Sequence, residues 1–137
     1  MKKRTVTWIM ASLMVLAGMP AQIVLAEESE LTDFTIGYAG LDESQEHLVP
    51  VGENIEKVAA EKSEELGIDI KVVKVDNAGD GAKAVENVDN LILQGIDVLV
   101  EFNSDAAVND TIWQKCQDAD IPVIAVDIPV GDAPYMG

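Results

Sequence analysis

One cysteine is all that this 137-residue sequence carries. Cys116 therefore has no partner in the chain for a disulfide and no second thiol at metal-ligand spacing, so its default role is a small, buried apolar side chain. Basic residues are scarce as well: nine Lys and Arg stand against 25 Asp and Glu, a formal net charge of −16. That balance leaves no basic footprint for nucleic acid and no attraction to an anionic lipid surface. No acidic run is long enough to form a disordered tail, and the acids read as a well-solvated surface. Phosphate-cradling loops are missing too. The glycines of GYAG, Gly37 and Gly40, lack the spacing of the dinucleotide fingerprint, and those of GDG, Gly79 and Gly81, lack the Lys and Ser/Thr of a phosphate loop. The single histidine, His47, has no readable Ser, Cys or acid constellation around it. With no catalytic set, no metal ligands and no cofactor motif legible, the chain is expected to bind rather than to catalyse.

What is present begins with a leader. Lys2, Lys3 and Arg4 precede an apolar stretch from Val6 to Gly18, and Val24, Leu25 and Ala26 stand just before Glu27, the layout of a secretory signal peptide. Residues 1–26 are therefore expected to be removed. Thr, Ser, Gly, Pro and Gln interrupt the uncharged span, which disfavours a retained membrane anchor. Leu16 to Met19 (LAGM) has the form of a lipoprotein processing box with Met19 where the acylated Cys would stand, so there is no thiol to lipidate. The expected product is periplasmic or secreted, with no direct membrane insertion. All three leader charges are basic, leaving six basic residues against 25 acids, a net −19 over the remaining part. Its length of about 111 residues suits one modest domain.

Periodicity then organises the chain. TDFTIGYAG alternates Phe34, Ile36 and Tyr38 as a strand should, and runs into a Gly-containing loop. Ile55, Val58, Ala59, Lys62 and Leu66 follow at helical spacing; Pro50 falls near the first turn and Gly67 at the C-terminus. IDIKVVKVD reads as a second strand. Asp80 is a candidate N-cap for a helix carrying Ala82, Val85, Val88, Leu91 and Ile92, closed by Gly95. The near-continuous apolar run of IDVLVEF suits a strand covered on both faces. Ser104 or Asp105 caps a third helix with Val108, Ile112, Cys116 and Ala119 on one side, and Pro122 opens a fourth strand. Trp113, beside that stripe, reads as packing. The sequon at Asn109, Asp110 and Thr111 reads as a chance match.

Strict alternation of strand and helix predicts an α/β fold, a doubly wound parallel sheet with helices on both faces and right-handed crossovers. In such sheets ligands sit beyond the carboxyl ends of the strands, where strand order reverses. With the order 2-1-3-4, that crevice is walled by Ala39 to Val49, Asn103 to Ala106 and Asp127 to Asp132. Asp127 closes the apolar run Val123 to Val126, and a carboxylate at a strand tip can stay hydrated or accept hydroxyl donors.

IGYAG, ENVDNLILQGIDVLVEFNSDAAV and KCQDADIPVIAVDIPV together resemble the N-terminal lobe of type I periplasmic sugar-binding proteins of ABC transporters, similar to ribose-binding protein. The resemblance spans nearly all of residues 27–137, with LILQGIDVLV and IPVIAVD its most specific parts. It implies two α/β lobes closing on a sugar or sugar-like polyol, so that this chain is an incomplete N-terminal lobe of a longer protein. A membrane permease is the implied partner; a ligand-sensing receptor of autoinducer or chemotaxis type is the alternative on the same scaffold. Asp127 matches the family's acid that accepts from sugar hydroxyls, and its other reading is a loop-capping Asp. Asn103 matches the polar residue after the third strand, with a helix-start role as the alternative. Asp42 and Gln45, with Glu43 and His47, are candidates from the loop after the first strand. Two departures stand out. Ile128 occupies a position where relatives often carry Arg, and QEHLVPVG offers no aromatic to stack on a sugar ring.

Overall fold

The computed structural model describes residues 31–136; the expected leader, residues 1–26, lies outside the described residues. The elements run β1 (Asp33–Gly40), α1 (Val49–Leu66), β2 (Asp69–Asp76), α2 (Gly81–Gln94), β3 (Val98–Glu101), α3 (Ala106–Asp118), β4 (Val123–Val126) and β5 (Tyr135–Met136). All strand pairs are parallel, in the order β2-β1-β3-β4-β5. The predicted 2-1-3-4 order is present, and β5 extends it beyond β4. A strand of two residues is too short to show an alternating pattern, so nothing in PYMG marked it.

The helix ends follow the local chemistry. Asp80 accepts the Lys83 amide at 2.8 Å and so caps α2. At α3 the cap is Asp105, not Ser104, accepting the Ala107 amide at 3.0 Å. α1 starts without a side-chain cap; Pro50, which has no N–H to leave unpaired, stands in its first turn. Gly67 and Gly95 close α1 and α2 in the left-handed region, at φ 67° and 78°.

Alternation along the strands supplies two apolar faces. Ala39, Leu99, Val123 and Ala125 meet Ala84, Val88 and Leu91 of α2 and Ile112 and Cys116 of α3 on one side. Tyr38, Val100 and Phe102 form the core on the other, with Val51 and Ile55 of α1 against it. Cys116 is fully buried as its spacing predicted, and burial pushes its thiol pKa up to about 12. Trp113 packs against the first core, and an added Cβ on Gly131 would stand only 2.3 Å from its Cγ. Lys115 on α3 pairs with Asp89 on α2 at 2.7 Å, joining the two helices across their outer edge. On the α1 side a single helix covers the sheet, leaving an open apolar hollow among Phe34, Ile36, Val58 and Val126. No helix among the described residues is long and apolar enough to cross a membrane.

Candidate functional site at the carboxyl edge of the sheet

Parallel pairing puts the ends of β1, β2, β3 and β4 at one edge, so every loop that sequence reasoning selected emerges there. β1 delivers Leu41 to Leu48. Asp42 stands second in that loop and turns its carboxylate back onto the chain: Oδ1 accepts from the Ser44 hydroxyl at 2.6 Å and the Ser44 amide at 3.0 Å, and Oδ2 accepts from Gln45 Nε2 at 2.8 Å. These bonds, the Ser44 hydroxyl foremost, hold the Asp42 pKa below the usual carboxylate range. Asp42 and Gln45 are thus brought into direct contact. Glu43 and His47 are exposed on the same loop. Asp76, at the end of β2, accepts the Glu43 amide at 3.1 Å and the Ala78 amide at 2.8 Å, tying the neighbouring loop alongside.

Asp127 ends β4 in an unusual backbone state. Its φ is +62°, and the Ile128 amide donates to the Val126 carbonyl at 2.7 Å across it, a three-residue turn. Asp tolerates the left-handed region better than most residues, but a non-Gly residue there is held against its preference. The turn leaves the residue exposed, and its carboxylate accepts no hydrogen bond from the described residues. Its acceptor capacity is unspent, as is that of the exposed Glu43 carboxylate on the loop after β1.

Asn103 is placed differently from Asp127. It is only 3% exposed. Its amide donates to Glu101 Oε1 at 3.2 Å and to Asn109 Oδ1 at 2.7 Å, while its Oδ1 accepts the Asp105 amide at 2.8 Å. Asn109 in turn donates to the Pro129 carbonyl at 2.7 Å. That side chain is buried and committed to the β4–β5 loop, which gives physical substance to reading its sequon as chance.

Sequence reasoning missed the centre of this network. Glu101, the last residue of β3, is completely buried; its Oε1 accepts from Asn77 at 3.1 Å as well as from Asn103. Its Oε2 has no partner among the described residues. Burial pushes the carboxyl pKa from 4.5 up to about 8, against the opposing pull of the Asn103 and Asn77 amides. Asn77 is also fully buried and accepts from Asn87 of α2 at 2.9 Å. The available signal was an acid closing the apolar run VLVE, a residue type seldom buried without a reason. No group of three or more His, Cys, Asp and Glu suited to a metal ion occurs among the described residues.

A doubly wound parallel sheet with polar groups gathered at its carboxyl edge has the architecture in which ligands sit beyond the strand ends. The chain belongs to the periplasmic binding protein family, matching its domain profile, described as "Periplasmic binding protein domain", over residues 36–136. Among curated proteins it is similar to the ribose import binding protein of Bacillus subtilis (strain 168), at 28% identity over 95 residues, covering 69% of this chain and 29% of that protein. Among solved structures it is similar to an ABC transporter solute-binding protein from Mycobacterium smegmatis with bound glycerol, at 24% identity and a TM-score of 0.63, covering 77% of this chain and 35% of the other. A solute-binding protein from Clostridium phytofermentans with bound β-D-glucose gives 22% identity and a TM-score of 0.56, covering 74% and 31%. The chain therefore spans about a third of the length of these relatives.

Proposed function

We propose that the chain is one lobe of an extracytoplasmic solute-binding protein that takes a sugar or polyol at the carboxyl edge of its sheet and serves an ABC-type permease. The observation that carries this reading is Asp127, an exposed strand-end carboxylate with unspent acceptor capacity, in a chain of the periplasmic binding protein family. A carboxylate can accept from two vicinal hydroxyls at once, which is how a site distinguishes a polyol from an apolar solute of the same size. Asp42 and Gln45 are assigned to the same ligand from the neighbouring loop, where Asp42 would exchange its bond to Gln45 for one to a ligand hydroxyl. Asn103 contributes from beneath, through the free lone pair of its Oδ1. The relatives support the ligand class: one is a ribose import binding protein, and two solved solute-binding proteins hold glycerol and β-D-glucose.

The test is titration calorimetry of the full-length protein with D-ribose, D-glucose and myo-inositol, each against wild type and Asp127→Asn. Asn keeps the shape and suits the left-handed backbone at least as well, so the fold is retained. Each charge-assisted bond lost is worth about 1.5–3 kcal/mol, so affinity should fall roughly tenfold or more. Equal affinities for the two forms would remove Asp127 from the site, and no binding of any of the three would overturn the ligand class.

A further inference from the structure

Two strand-end loops meet at one buried carboxyl group. Glu101 Oε1 accepts from Asn77, the first residue beyond β2, and from Asn103, two residues beyond it on the loop after β3. Asn77 is held by Asn87 of α2. Asn103 holds the Asp105 amide at the start of α3 and donates to Asn109, which reaches the Pro129 carbonyl in the loop after β4. Remove the acceptor at 101 and two buried amides lose their common anchor.

Filling the space alone would need only an apolar side chain. Leu in that place would fill a similar volume on the α2–α3 face without an orphan oxygen but would leave the Asn77 and Asn103 amides without their shared acceptor, whereas Glu satisfies both and leaves Oε2 with no partner among the described residues. What the carboxyl supplies, and Leu cannot, is one oxygen shared by two strand-end loops. We propose that Glu101 is a positioning residue for the cleft: by anchoring Asn77 and Asn103 at a single oxygen, it fixes the spacing of the loops after β2, β3 and β4 against one another. The functional meaning rests on the sugar-binding reading above, since Asp127 stands two residues before Pro129 on the last of these loops; the geometry itself needs no ligand.

The charges that act on Glu101 identify its titration. From α3 it faces Cys116, and Tyr38 of β1 lies on the opposite face of the sheet; each has its pKa pushed up to about 12, chiefly by burial. Neither changes charge around neutral pH. α2 contributes the uncharged Asn87, and the α3 cap Asp105 is committed to the Ala107 amide. A response of the loop amides centred near pH 8 therefore belongs to Glu101.

The experiment is amide hydrogen exchange and NMR on the full-length protein, wild type against Glu101→Gln and Glu101→Leu. The reporter is the Asp105 amide, which donates to Asn103, and the reference is the Leu99 amide, which donates to the Pro122 carbonyl within the sheet. In the Leu variant Asp105 exchange should accelerate at least about tenfold relative to Leu99, and Gln, which keeps the shared acceptor, should restore it to within about twofold. Equal acceleration of both amides, or a Gln variant that behaves like Leu, overturns the proposal. Should the Leu variant fail to fold, a pH titration decides: the Asp105 resonance should move with a midpoint near 8 in wild type and not in the Gln variant. A flat wild-type profile overturns it. D-ribose calorimetry on the same samples separates the two readings. The expected Asp105 response without ribose binding supports positioning and counts against a ribose site, whereas ribose binding without the response leaves the sugar reading standing and sinks this one.

Discussion

Glu101→Gln removes one titration from the interior while leaving its shape, and the consequence for stability can be worked out from the burial. In the folded chain the carboxyl keeps its proton up to about pH 8, against 4.5 for a free side chain. Below the lower value both folded and unfolded chains carry the proton, and the residue makes no pH-dependent demand. Between the two values the unfolded chain has released it and the folded chain has not. The unfolded state then binds fewer protons, so stability falls as pH rises, by about 1.4 kcal/mol per pH unit. Across the whole interval the loss reaches about 5 kcal/mol, and above it the penalty stays constant. That is a large fraction of the roughly 5–15 kcal/mol that holds a domain together. Gln has no proton to release. The other acids titrate equally in both proteins, so their common slope cancels in the difference. Urea unfolding at steps from about pH 5 to about pH 8 should therefore show the variant gaining on wild type by roughly 1.4 kcal/mol per unit. A difference that stays constant within about 1 kcal/mol over that range would refute the burial argument.

Three further outcomes follow from particular contacts. Gly131→Ala places a Cβ on a residue at φ +53° and 2.3 Å from Trp113 Cγ, so it should cost about 2–4 kcal/mol in urea unfolding, combining backbone strain with overpacking; a loss below about 0.5 kcal/mol would mean that the Trp113 ring is free to move aside. Cys116 is fully buried with its pKa pushed up to about 12, so a thiol reagent near neutral pH should label it only as fast as the chain unfolds, and immediate labelling in native buffer would contradict the packing of α3. If ligand is held between this lobe and another, residues 27–137 alone supply only part of the contacts, so D-ribose should bind them no tighter than about millimolar, some 4 kcal/mol; submillimolar binding by the monomer would rule out a two-lobed cleft.

The parts of this fold that were legible in sequence are those that local chemistry decides. Asp80 capping α2, Gly67 and Gly95 in the left-handed region, and the buried stripe Ile112 and Cys116 each depend on residues within a turn or two of themselves. The strand order could be inferred as well, because alternating strands and helices leave few arrangements. β5 could not be, since its two residues pair with β4 across a loop and carry no pattern of their own. Nor could the choice of Asp105 over Ser104 as the α3 cap, where both residue types serve and only the backbone direction selects one.

The candidate site divides along the same line. Asp127, Asn103, Asp42 and Gln45 were all selected as polar residues at strand ends, and all four do emerge at one edge. What sequence spacing cannot supply is which of them spends its hydrogen bonds on the protein and which keeps them for something else. Asn103 spends both donors inward, on Glu101 and Asn109. Asp42 spends its acceptors locally, on Ser44 and Gln45, while Asp127 is turned outward by a strained three-residue turn. An exposed acid on a turn is a common and weak signal; an acid ending a buried strand, as Glu101 does, is a rare and strong one. The stronger signal marks the residue beneath the site, because holding loops in register requires burial, whereas meeting a ligand requires exposure. Since the Pro129 carbonyl that Asn109 grips lies two residues beyond Asp127, the loop that carries the exposed carboxylate is held by the network that ends on the buried one.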